Sequence, residues 1–196
     1  MRVLVTGFGP FGNCKVNASW EVVKVLAEEG LGEDHSLEID EIPVVYEAVQ
    51  DRAPLLWSEK KPDLTVHVGV SPYDSVTFEQ YGRNFGYSKP DILGRFPNME
   101  CCVPDGPDCI RSRLDMDLVQ LNIKARGISV ETCISDDAGR YLCDFLYFLS
   151  LSLGQGPVAF VHIPSLDKEY SCMELAKALR LIILAMIDQL VEKATV

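Results

Sequence analysis

The sequence predicts a single α/β domain of three layers, a mostly parallel twisted sheet with helices on both faces. Three observations carry this. Short apolar, β-branched runs alternate with longer segments of helical period, the pattern of parallel strands joined by crossover helices. The chain has 196 residues, of which 47% are hydrophobic; at roughly 150 residues per domain that is one domain with enough apolar matter for a core. No internal repeat, low-complexity run or Pro/Ser-rich linker interrupts it, so residues 1–196 read as one unit.

Taken in order, VLVT (3–6) is a buried strand, followed by a glycine-rich turn and a helix over 18–29. Residues 37–42 alternate as a half-buried strand, and a helix follows over 46–58, in which Pro54 is expected to produce a bend or break. LTVHVGV (64–70) is the next strand. Gly, Pro, Asn and Asp crowd 71–114, which reads as long loops holding one hairpin. A helix over 115–126, a strand over 128–134, a helix over 138–151 and the strand AFVHI (159–163) complete the alternation. The last helix begins at a capping box, Ser171-Cys172-Met173-Glu174, and continues in good helix formers to about Glu192. In such sheets ligands bind beyond the carboxyl ends of the strands, which directs the search to the segments after Thr6, Val70, Ile134 and Ile163.

Against 18 Lys and Arg stand 29 Asp and Glu, a net charge of −11. A surface of that sign repels phosphate backbones and anionic lipid, so neither nucleic acid nor membrane is an expected partner. Mean hydropathy is +0.08, and the apolar start MRVLVTGFGPFG is too short for a signal peptide or a span. The sequon Asn17-Ala18-Ser19 is then idle. Seven cysteines (14, 101, 102, 109, 133, 143 and 172) are an odd set, expected as reduced thiols in the cytoplasm. None shows C-x-x-C spacing, and no metal or other cofactor is expected.

Gly7-Phe8-Gly9-Pro10-Phe11-Gly12 matches G-x-G-x-x-G after a strand and before a helix. A dinucleotide site needs the helix to begin inside the motif, with its amides on the pyrophosphate. Here Pro10 removes a donor, five residues intervene before the helix, and Phe8 and Phe11 offer rings where a phosphate needs N–H groups. The turn fits either an aromatic wall of a small-molecule pocket or a plug in the core.

Ser135-Asp136-Asp137-Ala138-Gly139-Arg140-Tyr141-Leu142-Cys143-Asp144-Phe145 joins a strand to a helix and sets Cys143 early in that helix. Amides and the dipole at a helix N-terminus stabilise a thiolate. The other six cysteines read as core filler. Of three histidines, His162 ends a strand just before Pro164, whereas His67 lies mid-strand as a core residue and His35 lies in a polar loop. A thiol with a nearby imidazole makes a nucleophile and general base, oriented by a third group. Glu79, after the strand ending at Val70, is one candidate among the chain's carboxylates.

TGFGPFG with VNASW (16–20), VHVGVS (66–71), VTFE (76–79), SDDAGRYLCDF (135–145) and FVHIP (160–164) together resemble the pyroglutamyl-peptidase I family, in order and across nearly the whole chain, with most likeness to its animal members. The resemblance implies a cytosolic cysteine peptidase that removes pyroglutamate from peptide N-termini, with Glu79 as acid, Cys143 as nucleophile and His162 as imidazole. It further implies that Phe8 and Phe11 flank the pyrrolidone ring, that backbone groups of Val70 and Ser71 bond the lactam, that Leu142 lines the pocket, and that the enzyme acts as a monomer. Two features depart from the family pattern: the loop between Gly69 and Glu79 is one residue shorter, and Gln80 replaces a basic residue. Both adjoin Glu79. The alternatives are a relative that has lost turnover there and acts by binding, and a nucleotide-dependent oxidoreductase using the glycine turn.

Overall fold

The computed structural model describes residues 1–12, 15–166 and 168–194. Its elements are β1 (Arg2–Phe8), α1 (Ala18–Glu29), β2 (Ser36–Ile42), α2 (Tyr46–Lys60), β3 (Leu64–Val70), β4 (Val76–Glu79), β5 (Tyr81–Arg83), β6 (Cys109–Arg111), α3 (Met116–Ala125), β7 (Thr132–Ser135), α4 (Leu142–Leu153), β8 (Val158–Ile163) and α5 (Cys172–Ala194). Six strands form one sheet in the order β2-β1-β3-β8-β4-β7. The first four are parallel; β4 pairs antiparallel with β8, and β7 runs with β4. Side chains of α1, α3 and α5 bury one face of the sheet, and those of α2 and α4 bury the other. The predicted three-layer domain is therefore present, with a two-strand antiparallel reversal at one edge.

Local chemistry explains the ends of the helices. Asn17 caps α1 by accepting the Ser19 N–H at 3.1 Å, and Asp115 caps α3 through the N–H groups of Asp117 and Leu118. Ser171 and Glu174 exchange the reciprocal bonds of a capping box. Helix α2 runs on through Pro54 to Lys60, so of the expected bend or break the break does not occur; Pro54 leaves one N–H donor missing from the ladder.

Four other expectations are corrected. The 71–114 segment contains β4, a strand next to the sheet edge whose four residues are too few to show a period. Its two-stranded piece, β5 with β6, closes across residues 84–108 rather than through a tight turn. The strand expected over 128–134 is Thr132–Ser135, and the helix expected from 138 begins at Leu142. Ser135 and Asp137 cause that delay: the Asp137 N–H donates to Ser135 Oγ and the Gly139 N–H to Asp137 Oδ1, each at 3.0 Å, and Gly139 takes φ 86°. Side chains that satisfy the backbone locally compete with helix formation.

The sheet also splits. The β1–β3 ladder stops at Thr6↔His67, yet β1 stays paired with β2 to Phe8↔Ile42, and β3 with β8 to Val70↔Ile163. A crevice opens between β1 and β3, where the order of strands reverses direction, the usual place for a ligand. Below it His67 is a satisfied core residue: its ring nitrogens meet Thr6 Oγ1 and Ser150 Oγ, each at 2.8 Å, and burial lowers its pKa to about 3. Among the described residues no helix is long and apolar enough to cross a membrane.

Candidate active site

Cys143 is the second residue of α4, nearer the helix tip than the sequence indicated. The first intrahelical bond runs from the Phe145 N–H to the Tyr141 carbonyl, and the Tyr141 side chain caps nothing. The N–H groups of Leu142, Cys143 and Asp144 are therefore outside the helical ladder and available to an anion. The sulfur rests on β3. A Cβ added to Gly69 would lie 2.8 Å from Cys143 Sγ and 2.8 Å from Phe160 Cζ. Gly69 is also the sheet partner of His162, so the close approach that only glycine permits sets the thiol beside the imidazole. Gly69→Ala is expected to lower kcat by about 10²-fold, the scale of a misplacement near 1 Å, and to destabilise the fold by about 1–3 kcal/mol through overpacking. Steady-state kinetics and thermal melts of that variant check both effects.

His162 and Glu79 meet by strand register. Glu79 lies opposite Phe160 and Thr77 opposite His162 in the antiparallel pair, so residues alternating along the strands share the α4 face. His162 Nδ1 is 2.8 Å from Glu79 Oε1, and both side chains are buried. Burial opposes the imidazolium, but hydrogen bonds and charge from Cys143 and Glu79 outweigh it and raise the His162 pKa to about 10. With Nδ1 directed at the carboxylate, Nε2 is the nitrogen left for the thiol. Tyr147 holds the acid's backbone, its hydroxyl donating to the Glu79 carbonyl at 2.8 Å.

The two departures beside Glu79 leave this geometry in place. Gln80 is buried and donates to the Leu114 carbonyl at 3.0 Å, while its Oε1 accepts the Met116 N–H at 3.1 Å. It ties the end of β4 to the start of α3 by neutral bonds. The shorter loop is pinned by Lys168, which donates to the Pro72 carbonyl and pairs with Asp74.

Phe8, Phe11, Asn17, Val44, Val70, Tyr141, Leu142 and Cys143 line a small pocket in the crevice. Phe8 is packed into the α2/α4 core and Phe11 stands more open, so the glycine turn contributes aromatic walls. Val70 lines the pocket, whereas Ser71 lines the adjoining groove toward Ser165 and Leu166. The Ser71 N–H already donates to the Ile163 carbonyl at 2.9 Å. Because backbone groups alternate sides along a parallel strand, those of Val70 face the opened crevice.

Asn17, Val44 and Tyr141 line this pocket without having been singled out as site residues. Asn17 is legible after the fact as an N-cap. Its Nδ2 donates to the Gly9 carbonyl at 2.9 Å, its Oδ1 accepts from Ser19, and Ser19 Oγ in turn accepts the Phe8 N–H at 3.0 Å. That chain of bonds braces the aromatic turn. Asn17→Ala removes both cap and brace; a loss of about 1 kcal/mol, or about 2–4 °C in Tm, is expected together with a KM that rises more than kcat falls.

The remaining thiols differ in setting. Cys101 and Cys102 are buried, donate to Asn84 Oδ1 and the Phe145 carbonyl, and burial pushes both pKa values up. Cys109 and Cys133 are exposed and Cys172 is half-buried; Cys14 lies outside the described residues.

A family model described as pyroglutamyl peptidase matches residues 1–178. Pyroglutamyl-peptidase 1 of Homo sapiens is 49% identical over 189 residues, covering 96% of this chain and 90% of that protein. A mutant pyrrolidone carboxyl peptidase from the hyperthermophile Pyrococcus furiosus superposes with a TM-score of 0.87 at 26% identity, over 97% of this chain and all of that one. Pyroglutamyl peptidase I of Bacillus amyloliquefaciens gives a TM-score of 0.85 at 25% identity, over 94% and 96% of the two chains. A sheet split beside β3, a thiol at the tip of α4 and an imidazole on a buried acid thus occur in a chain that belongs to the pyroglutamyl peptidase family, as an animal-type member.

Proposed function

We propose that the protein hydrolyses the bond after an N-terminal pyroglutamyl residue of a peptide, with Cys143 as nucleophile, His162 as general acid and base, and Glu79 as the group that orients the imidazole. The observation that carries this is the meeting of the three: sulfur packed on Gly69, imidazole on the neighbouring strand, carboxylate 2.8 Å from Nδ1. Pyroglutamate is a closed lactam with no ammonium group, so its site needs apolar walls and one donor and one acceptor. Leaving either ring polar group unpaired costs about 1–3 kcal/mol. Phe8, Phe11 and Leu142 supply the walls, and the crevice-facing backbone N–H and C=O of Val70 supply the polar partners, while Ser71 is tied to β8. The closed lactam carries no residue before it, which restricts cleavage to the terminal bond.

The Cys143 thiolate adds to the pyroglutamyl carbonyl carbon, and the oxyanion takes hydrogen bonds from amides at the tip of α4. The C–N bond then breaks as His162 gives its proton to the leaving amine, which leaves a thioester on Cys143. Water attacks the thioester while His162 accepts its proton, the C–S bond breaks, and 5-oxoproline departs. Glu79 stabilises the imidazolium throughout. All of these groups come from one chain, so a monomer suffices, and a thiol nucleophile suits the reducing cytoplasm. Purified protein is expected to release the chromophore from a pyroglutamyl arylamide and not from the prolyl analogue, which carries a protonated amine and lacks the ring carbonyl. No turnover of the first, or equal turnover of both, contradicts the reading.

A further inference from the structure

The residue after the nucleophile is a buried acid that the catalytic steps do not use. Asp144 is fully buried. It accepts the backbone N–H of Arg83 at 3.1 Å, the hydroxyl of Tyr87 at 3.2 Å and Nη1 of Arg140 at 3.3 Å. These partners come from β5, from the segment after it and from the turn before α4, so one carboxylate joins three pieces of chain to the helix tip. Arg140 is itself held by Asp137 and by the Gly139 carbonyl, and the Tyr87 hydroxyl also bonds the Arg83 carbonyl. Its position in the first turn suits the helix dipole.

We propose that Asp144 is a positioning residue for Cys143: by clamping the tip of α4 it keeps the sulfur against Gly69 and beside His162. The contact with Gly69 leaves no slack, since the space a Cβ would need is already filled by the sulfur. A small rotation of the tip therefore moves the thiol off the imidazole. The clamp favours the ionised acid, because the Arg83 N–H and the Arg140 guanidinium can only donate, while the Tyr87 hydroxyl has one proton to share between Asp144 and the Arg83 carbonyl. Burial raises the Asp144 pKa to about 7 against the opposing bonds from Arg83, Arg140 and Tyr87. The ionisable groups around it are Arg140, Asp137, Tyr87, Cys102 and Tyr147; Arg140 is the positive charge that touches it, since Arg83 meets it through its backbone N–H alone. A carboxylate with a raised pKa stabilises the fold less once ionised, as its amide isostere would not. A buried acid of this kind beside the nucleophile points to function rather than stability.

The inference rests on the proposed peptidase reading for its kinetic readout, so a second readout needs no substrate. For wild type, Asp144→Asn and Arg140→Gln, kcat and KM on a pyroglutamyl arylamide and the rate of Cys143 alkylation by iodoacetamide are measured from acid to alkaline pH. Asp144→Asn is expected to lower kcat about tenfold with KM little changed, the effect of a partial misplacement of the thiol. It also removes the acid-side inflection near pH 7 from both profiles. Arg140→Gln leaves the acid in place but takes away its charge partner, so that inflection moves upward by about one unit. Superimposable profiles for wild type and Asp144→Asn overturn the proposal, whatever the change in Tm. Should Asp144→Asn fail to fold, an unmoved inflection in Arg140→Gln overturns it. If wild type does not cleave the arylamide, the peptidase reading fails while the alkylation profiles still decide the role of Asp144.

Discussion

Replacing Cys143 by alanine is expected to lower kcat on a pyroglutamyl arylamide by at least about 10⁴-fold, the usual consequence of deleting a covalent nucleophile. The fold should survive it. Cys143 is only partly buried, and its loss removes one contact over Gly69 without opening the α2/α4 core. Binding is expected to persist too, because the pocket walls come from Phe8, Phe11, Val44, Tyr141 and Leu142. A pyroglutamyl analogue should therefore still raise the Tm of the variant, which separates lost chemistry from lost structure. Cys143→Ser places a hydroxyl where the sulfur sits, and is expected to be nearly as inactive, since an imidazole matched to a thiol does not deprotonate an alcohol equally well.

The second large effect belongs to the acid. Glu79→Gln keeps the shape of the side chain and loses its charge, and kcat is expected to fall by roughly 10² to 10⁴-fold with KM little altered, as when a triad acid is replaced by its amide. The amide can present its NH₂ to Nδ1 and stabilise the wrong tautomer. The pH dependence gives a sharper reading. Burial disfavours the His162 cation, and bonds and charge from Cys143 and Glu79 reverse that to a pKa of about 10. The imidazolium is thus present at neutral pH and is lost as pH rises through about 10, so wild-type kcat/KM should fall on that alkaline limb. Without the Glu79 charge the limb moves to lower pH. The folded pKa exceeds the ordinary histidine value, so the stability this group contributes is complete below about pH 6.5 and fades toward pH 10. Profiles of rate and Tm against pH for both proteins check both statements.

The parts of the fold that could be read from the sequence were those encoded locally. Helix α1 lies over the predicted residues because Asn17 caps it and Gly30 ends it, and the Ser171–Glu174 capping box starts α5. Strand β4 could not be read. Its four residues sit among turn formers, and only pairing with β8 and β7 makes them a strand. The same contacts explain why no spacing could select Glu79 among the carboxylates: its approach to His162 depends on an antiparallel register set by residues far away in the chain. Cys143 and His162 were easier, since one lies at a helix start and the other at a strand end, both local signals. Asp144 follows Cys143 directly, yet its partners Arg83 and Tyr87 come from a segment that shows only turn formers. Gln80 likewise looked like a disturbance of the acid, and in place it is a brace.

The most direct test of the central claim is to trap the intermediate. Rapid acid quenching of the protein during turnover of a pyroglutamyl ester, followed by peptide mass analysis, should find one pyroglutamyl group in thioester linkage on Cys143 and on no other cysteine. Continued turnover with that acyl group on another residue, or on none while Cys143→Ala remains active, would contradict the account.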